Sequence, residues 1–500
     1  MTTLPDLWRT AEHRHADQIA VIAADQQMTY RQLGDRIRRV AAGLSSRWGV
    51  QPGDIVALLT PNCVEFVISY FAIVQIGAVV QPVDERITSE EIAAVLADAG
   101  TRFLIVHGSL WPKVDPVRSL ATSVERVLGI ALTAQDVEPF DAWCEWDAAW
   151  PQDVTLSPTM VAELMYTSGT TGEPKGVQRT HANVRAAVRN SLRGFGYGKN
   201  DVIAIAMPLS HSSALNSQMI PLLAVGGALI LLPVFQVADC IEVIQRFGVT
   251  CMRAVPTMLR LLVAHAGFAS EHLPTLRLVI NSSAPIDPDT YVALKHRFPA
   301  VEVLNSYGLT EASTCTVLPD EMALSRPDSV GRPIDGVEMC VIDAQGQAVE
   351  DGCEGEICVR GEHVFMGYRR RPEATAAVLA EGWLRTGDVG YRDPQGFYYL
   401  CGRQTEVINC GGQKFVPQDV ERCIETLPAV AEAAVTGMPH RLLGEVAKAF
   451  VVLNPSENLD ARSVIHHCTQ HLTSYKVPYA VEFVESLPKN SVGKLLRRKL

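Results

Sequence analysis

Short apolar runs alternate with helical patterns over the first four hundred residues of the chain. Residues 55–59 (Ile-Val-Ala-Leu-Leu), 103–106, 202–206 and 276–280 are compact, mostly apolar stretches bounded by turn residues. Such runs lack the apolar–polar alternation of a half-exposed strand and predict strands buried on both faces. Between them Leu33, Ile37, Val40, Ala41 and Leu44 recur at helical spacing, and Pro52-Gly53-Asp54 makes the turn into the next strand. Alternation of this kind predicts an α/β fold, in which parallel sheets are covered by helices. From about Gly331 the texture changes to short, turn-rich strands at 338–342, 355–360 and 396–400, which predicts a small β-rich subdomain over 331–402.

After Gly402-Arg403 the pattern restarts: a helix at 416–427, strands at 433–436 and 446–453, and a helix at 460–472. The organisation expected is a large N-terminal domain, 1–402, followed by a small α+β domain, 403–500. No Pro/Gly-rich linker separates them, so they are expected to be hinged rather than loosely tethered.

Composition narrows the partners. A net charge of −11, with no basic block in the first 480 residues, argues against nucleic acid. The first residues carry no apolar core of a targeting segment. Residues 219–235 form an uncharged run of near-membrane length, but Pro221, Gly226, Gly227 and Pro233 interrupt it. A buried helix ending at the glycine pair, followed by a buried strand, accounts for it without an integral membrane segment. Twelve cysteines with no Cys-x-x-Cys pair point to reduced thiols in a cytoplasmic chain. His467 and His471 would share a helical face, yet no second ligand cluster accompanies them, and His466, His467, Cys468 and His471 read as a solvated helix surface.

The chemistry concentrates at Tyr166-Thr167-Ser168-Gly169-Thr170-Thr171-Gly172-Glu173-Pro174-Lys175-Gly176, which follows a short strand-like run. Glycines let backbone N–H groups turn toward an anion, hydroxyls add donors, and the lysine adds a point charge. These are the parts of a phosphate-holding loop, although the spacing is not that of a Walker A motif. Position for position the segment resembles the phosphate loop of the adenylate-forming superfamily, which comprises acyl-CoA synthetases, luciferases and the adenylation domains of peptide synthetases. Further resemblances follow in the family's order, and Thr29-Tyr30-Arg31-Gln32-Leu33 resembles a weaker one near the start, so that essentially the whole length is covered.

The resemblance implies roles. In Asn305-Ser306-Tyr307-Gly308-Leu309-Thr310-Glu311, Tyr307 would stack on adenine, Thr310 would meet the α-phosphate, and Glu311 with Thr167 would hold Mg²⁺, a cation that takes hard oxygen ligands. Asn305, Ser306 and the loop Ser283-Ala284-Pro285 would flank the nucleotide. Read locally, Thr310-Glu311 also fits the first turn of a helix. Asp388, in Trp383-Leu384-Arg385-Thr386-Gly387-Asp388, would accept from the ribose hydroxyls, with Arg403 nearby; the local alternative for Asp388 is a β-turn. Lys494, closing Pro488-Lys489-Asn490-Ser491-Val492-Gly493-Lys494, would reach the substrate carboxylate and α-phosphate in one half-reaction only. Gly411, Gly412 and Lys414 resemble the loop lining the pantetheine tunnel, and Arg86 falls where some CoA ligases meet the CoA 3′-phosphate. The hinge position two residues after Arg403 holds Thr405, where the family usually has Asp or Lys.

His211, with Ser212, Ser213 and Gly308, would border the acyl pocket. No carboxylate occurs between His211 and Pro233 to pair an ammonium, which disfavours an α-amino acid. Arg253 is a lone charge in an apolar strand. It reads as an arginine reaching to solvent, the alternative being contact with a second carboxylate of a dicarboxylic substrate. The expectation is therefore an ATP- and Mg²⁺-dependent ligase joining an uncharged aliphatic or aryl acid to coenzyme A through an acyl-AMP, the alternative acceptor being the phosphopantetheine of an acyl carrier protein.

Overall fold

A computed structural model describes residues 3–23, 26–117, 120, 123–146, 154–167, 174–282, 286–403, 406–410, 413–441, 443–489 and 495–500. The chain folds as two compact units. The first takes residues 1–327, 331–338 and 359–384; the second takes 328–330, 339–358 and 385–500. Much of the β-rich segment thus packs with the C-terminal residues.

Two sheets organise the first unit. In one, the parallel strands Ile19–Ala23, Ala228–Leu231, Val202–Ile205, Cys251–Ala254, Leu278–Ser282 and Glu302–Leu309 lie side by side in that order, and Ser313–Leu318 adds antiparallel to the last. In the other, Val161–Thr167, Val79–Pro82, Ile55–Leu59, Phe103–His107, Arg126–Ile130 and Val137–Pro139 run parallel, and Lys175–Thr180 adds antiparallel to Val161–Thr167. All five residues of Ile55–Leu59 are buried, as are all five of Leu278–Ser282, which is the signature of a strand covered on both faces.

Local signals act as written in the sequence. Thr29 caps the helix Tyr30–Ala42 through a reciprocal box with Gln32, and the Tyr30 hydroxyl donates to the carbonyls of Leu223 and Gly227 at 3.1 and 2.7 Å. The apolar run at 219–235 resolves into the helix Ile220–Val225 and the strand Ala228–Leu231. Gly226 ends that helix at φ +92°, a conformation open to glycine.

In the second unit the strands Ile408–Cys410, Gln413–Phe415, Val430–His440, Gly444–Leu453 and Ala480–Phe483 form one sheet, accompanied by the helices Pro417–Glu425 and Ala461–His471. Its core gathers Ile408, Val420, Ile424, Val435, Val451 and Val464. All twelve cysteines are free thiols.

Candidate functional site

Several expected site residues of the first unit that are described lie at or after the carboxyl ends of parallel strands, the edge at which α/β sheets place their ligands, together with Asn62 and Asp84, which the sequence did not single out. Asn62 follows Ile55–Leu59, Asp84 follows Val79–Pro82, and His211 follows Val202–Ile205. Thr167 closes Val161–Thr167, and Tyr307 and Gly308 lie toward the end of Glu302–Leu309. A strand hands over to a connecting segment at that end, so the segments at the ends of these five strands are placed there without cost to the ladders.

The phosphate loop joins two antiparallel strands whose register sets Thr167 opposite Lys175. Ser168, Gly169, Thr170, Thr171 and Gly172 lie outside the described residues, as do Ser283, Ala284 and Pro285. The Lys175 ammonium sits 5.3 Å from the centre of the Tyr368 ring, and the Tyr368 hydroxyl donates to Glu311 Oε1 at 2.9 Å. Tyr368 therefore bridges the loop's cation and the expected metal carboxylate. Its own backbone N–H donates to Thr375 Oγ1 at 2.9 Å, which fixes the ring's base. Sequence reasoning missed this residue; the signal available was an aromatic directly after a glycine and four residues before Pro372.

Thr310 and Glu311 do not begin a helix. They form the turn between the antiparallel strands Glu302–Leu309 and Ser313–Leu318, and the Glu311 carbonyl accepts from Phe365 N at 2.7 Å. The helical reading failed because Thr-Glu after a glycine suits a tight β-connection as well as a first helical turn. Gly308 is required here: a Cβ would stand 1.9 Å from the Ser313 carbonyl oxygen. Asn305 accepts from Asn281 Nδ2 at 2.9 Å, Ser306 donates to the Asn281 carbonyl at 3.2 Å, and Tyr307 is buried.

His211 Nε2 lies 3.3 Å from Asp84 Oδ2, both side chains being largely but not wholly covered. Its loop is held by Asn62, whose amide donates to the carbonyls of Met207 and Leu232, each at 3.0 Å, and accepts from Leu209 N at 2.8 Å. Ser212, the next residue, joins a buried polar cluster. Arg179 and Glu163, neither of them exposed, face each other across the hairpin that carries the phosphate loop, Nη1 to Oε2 at 3.9 Å. Arg179 Nη1 donates to Asn216 Oδ1, to Ser313 Oγ at 2.9 Å and to Ser212 Oγ at 3.5 Å. Glu163 accepts from the Tyr70 hydroxyl at 2.6 Å and from Asn216 Nδ2 at 2.8 and 3.1 Å. Burial pushes the Glu163 carboxyl up and the Arg179 guanidinium down from their ordinary ranges, and each partner opposes the shift of the other. The cluster thereby links the residue after His211 to Ser313, two residues after Glu311. Arg86, in contrast, is exposed on the turn after Asp84, its backbone N–H donating to that carboxylate at 3.1 Å.

Arg253 does not reach solvent. The strand carrying it is buried at all four positions, and only 6% of Arg253 is accessible. A long stem lets an arginine escape an edge strand, but here both flanking strands are also covered.

In the second unit Asp388 is buried within the strand Trp383–Arg392, not at a turn, and its Cα pairs with that of Arg403 on the neighbouring strand. The Thr386 hydroxyl accepts from Asp388 N at 3.1 Å and donates to the Ile357 carbonyl at 2.8 Å. Cys410 pairs with Gln413 and Asn409 with Lys414 across a hairpin; Gly411, Gly412, Thr405 and Lys494 lie outside the described residues.

Glu311 would offer Mg²⁺ a hard carboxylate oxygen, on a turn braced by Tyr368. That fits a cation carried largely by nucleotide phosphates and water rather than by a protein cage.

Residues 7–369 match the family of AMP-binding enzymes, and residues 419–494 match the AMP-binding enzyme C-terminal domain. The chain belongs to this family of adenylate-forming enzymes. It is 31% identical over 512 residues to the oxalate–CoA ligase of Arabidopsis thaliana, covering 99% of this chain and 97% of that one. It is 34% identical over 506 residues to the 2-succinylbenzoate–CoA ligase of Geobacillus kaustophilus, covering 100% and 98%. The fold superposes on ATP-bound MatB from Rhodopseudomonas palustris with a TM-score of 0.90 at 29% identity, covering 99% of this chain and 98% of that one. Among the described residues no helix is long and apolar enough to cross a membrane.

Proposed function

We propose that the protein is an ATP-dependent, AMP-forming carboxylic acid–CoA ligase acting on an aliphatic or aryl acid that carries no α-ammonium group. The observation that carries the reading is the Lys175–Tyr368–Glu311 arrangement at the mouth of the phosphate-loop hairpin. It sets a cation and a metal-binding carboxylate around one aromatic ring, as a triphosphate with its Mg²⁺ requires. In the first half-reaction a carboxylate oxygen of the acid attacks the α-phosphorus, the bond to the β-phosphate oxygen breaks, and pyrophosphate leaves. Thr167, Ser168, Gly169, Thr170, Thr171, Gly172 and Lys175 hold the departing phosphates, and Thr310 orients the α-phosphate. Glu311 and Thr167 would hold Mg²⁺, which would supply neutralisation of the phosphate charge. Tyr307 stacks on adenine, Asp388 accepts from the ribose with Arg403 beside it, and Lys494 contacts the α-phosphate.

In the second half-reaction a thiolate attacks the acyl carbonyl and AMP departs. His211, held against Asp84, borders the acyl group. Gly411, Gly412, Lys414 and Arg86 serve the acceptor, and residues 403–500 turn about the hinge at Thr405 between the two steps. The names of the relatives favour free coenzyme A over a carrier protein as acceptor. We place the enzyme in the cytoplasm, where ATP and reduced thiols coexist. The test is pyrophosphate release over a panel of acids, followed by assay of AMP and thioester with CoA or with a holo carrier protein. Stoichiometric AMP and acyl-CoA are expected; acyl-AMP that clears only with the carrier protein would overturn the choice of acceptor.

A further inference from the structure

Among the described residues no carboxylate pairs with the buried Arg253. Its Nε donates to Ser282 Oγ at 3.2 Å and its Nη2 to Ser306 Oγ at 3.0 Å, and the guanidinium carbon lies 5.3 Å from the centre of the Phe195 ring. Nη1 is buried and has no partner among the described residues; the buried Tyr197 hydroxyl, which acts on the same guanidinium, has none either. The Asp201 carboxylate, which also influences Tyr197, is already taken by Arg277 at 2.6 and 2.8 Å, by Thr250 and by Gly198 N.

Two neutral hydroxyls and a ring face do not repay the desolvation of a guanidinium, whose burial normally demands an anion with good geometry. Burial accordingly depresses this guanidinium to about 10. The serines engage Nε and Nη2 on one side of the planar fork and leave Nη1 a buried donor without a partner among the described residues, which an oxygen anion would satisfy. Position supplies the rest. Ser282 directly precedes the Ser283-Ala284-Pro285 loop, and Ser306 stands two residues before Gly308, the glycine at the expected acyl pocket.

We propose that Arg253 is a specificity residue which receives a second anionic oxygen group on the acid, so that the substrate class is a dicarboxylic acid. The inference rests on the ligase reading above and deepens it. It also revises the expectation of an uncharged acid: the missing carboxylate between His211 and Pro233 argues against an ammonium substrate and leaves a second anion open.

The test compares diacids of graded length, aliphatic and aryl, with monoacids of the same skeleton in which the distal carboxylate is replaced by methyl or carboxamide. Pyrophosphate release and thioester formation with CoA are both read. The best diacid should exceed its matched monoacids in kcat/KM by roughly 10²-fold, the effect of one charge-assisted contact in a desolvated site. Arg253→Met should reduce or reverse that ratio, mainly through KM for the diacid, and Arg253→Lys should restore part of it. Equal kcat/KM for diacids and matched monoacids in the wild-type enzyme would overturn the proposal while leaving the ligase reading intact. So would an Arg253→Met variant that loses both classes in proportion through a raised KM for ATP. If Arg253→Met does not fold, the wild-type panel alone decides. Failure of every acid to give AMP and thioester would instead refute the ligase reading.

Discussion

Replacing Glu163 by glutamine tests how the hairpin under the phosphate loop is held. The carboxylate and the Arg179 guanidinium are both fully buried, and among the described residues Tyr70 and Asn216 are the other polar groups bonded to Glu163. Glutamine keeps the volume and one acceptor but removes the counter-charge. Breaking a buried pair by deleting one partner costs about 3–5 kcal/mol. The new amide must also turn a donor toward Tyr70 or Asn216, which adds about 1 kcal/mol. A loss of about 4–6 kcal/mol would unfold a marginal enzyme, so denaturant midpoints by tryptophan fluorescence should fall steeply. Glu163→Gln combined with Arg179→Met removes both charges and should recover at least about 2 kcal/mol relative to the sum of the single changes. Where the single variant folds, KM for the acid should rise, because Ser212 beside His211 loses its anchored donor. A Glu163→Gln midpoint within about 1 kcal/mol of wild type, or an additive cycle, would refute the reasoning.

Acid should destabilise the first unit through two buried histidines. Burial depresses His181 and His363 from 6.5 to about 4, so the unfolded chain binds protons that the folded one refuses. Their contribution is complete above about pH 6.5 and is lost as pH falls toward 4, by about 3 kcal/mol per histidine; denaturant midpoints at pH 7.5 and 5 should differ less in His363→Asn than in wild type. Lys494→Ala should slow acyl-AMP formation by roughly 10²–10³ yet leave thioester formation from preformed acyl-AMP near normal, as for loss of one preorganised charge contact; equal loss of both steps, measured in single turnover, would show the residue to be structural. Gly308→Ala drives a methyl against the Ser313 carbonyl, whose oxygen stands 1.9 Å from the ideal Cβ, and should cost about 1–3 kcal/mol in thermal unfolding even before activity is assayed.

The buried strands were legible because a parallel strand covered on both faces has to be apolar throughout, as Ile55–Leu59 is. The helix end at Gly226 was legible because caps depend on local chemistry; the Thr29 cap sat in a segment read only for its resemblance. What escaped was pairing at a distance. Glu163 and Arg179 are sixteen residues apart and read as two separate polar positions until the hairpin sets their Cα atoms opposite. Arg253 was misread because the pattern along one strand does not reveal whether its neighbours close off the route to water. Tyr368 binds Glu311 from a short strand nearly sixty residues away, a contact that no local pattern encodes.

Asn62 has a consequence for how the pocket can vary. It belongs to one sheet and grips carbonyls at the ends of two strands of the other, while His211 and Asp84 meet from those same two sheets. On the proposed reading, the width of the acyl entrance would therefore be set where two sheets are riveted together, at a joint outside the reacting groups. A change of volume far from the entrance, anywhere that lets one sheet slide past the other, shifts the gate as surely as a change in its lining. Substrate range in such an architecture can drift through the scaffold while every reacting group stays in place.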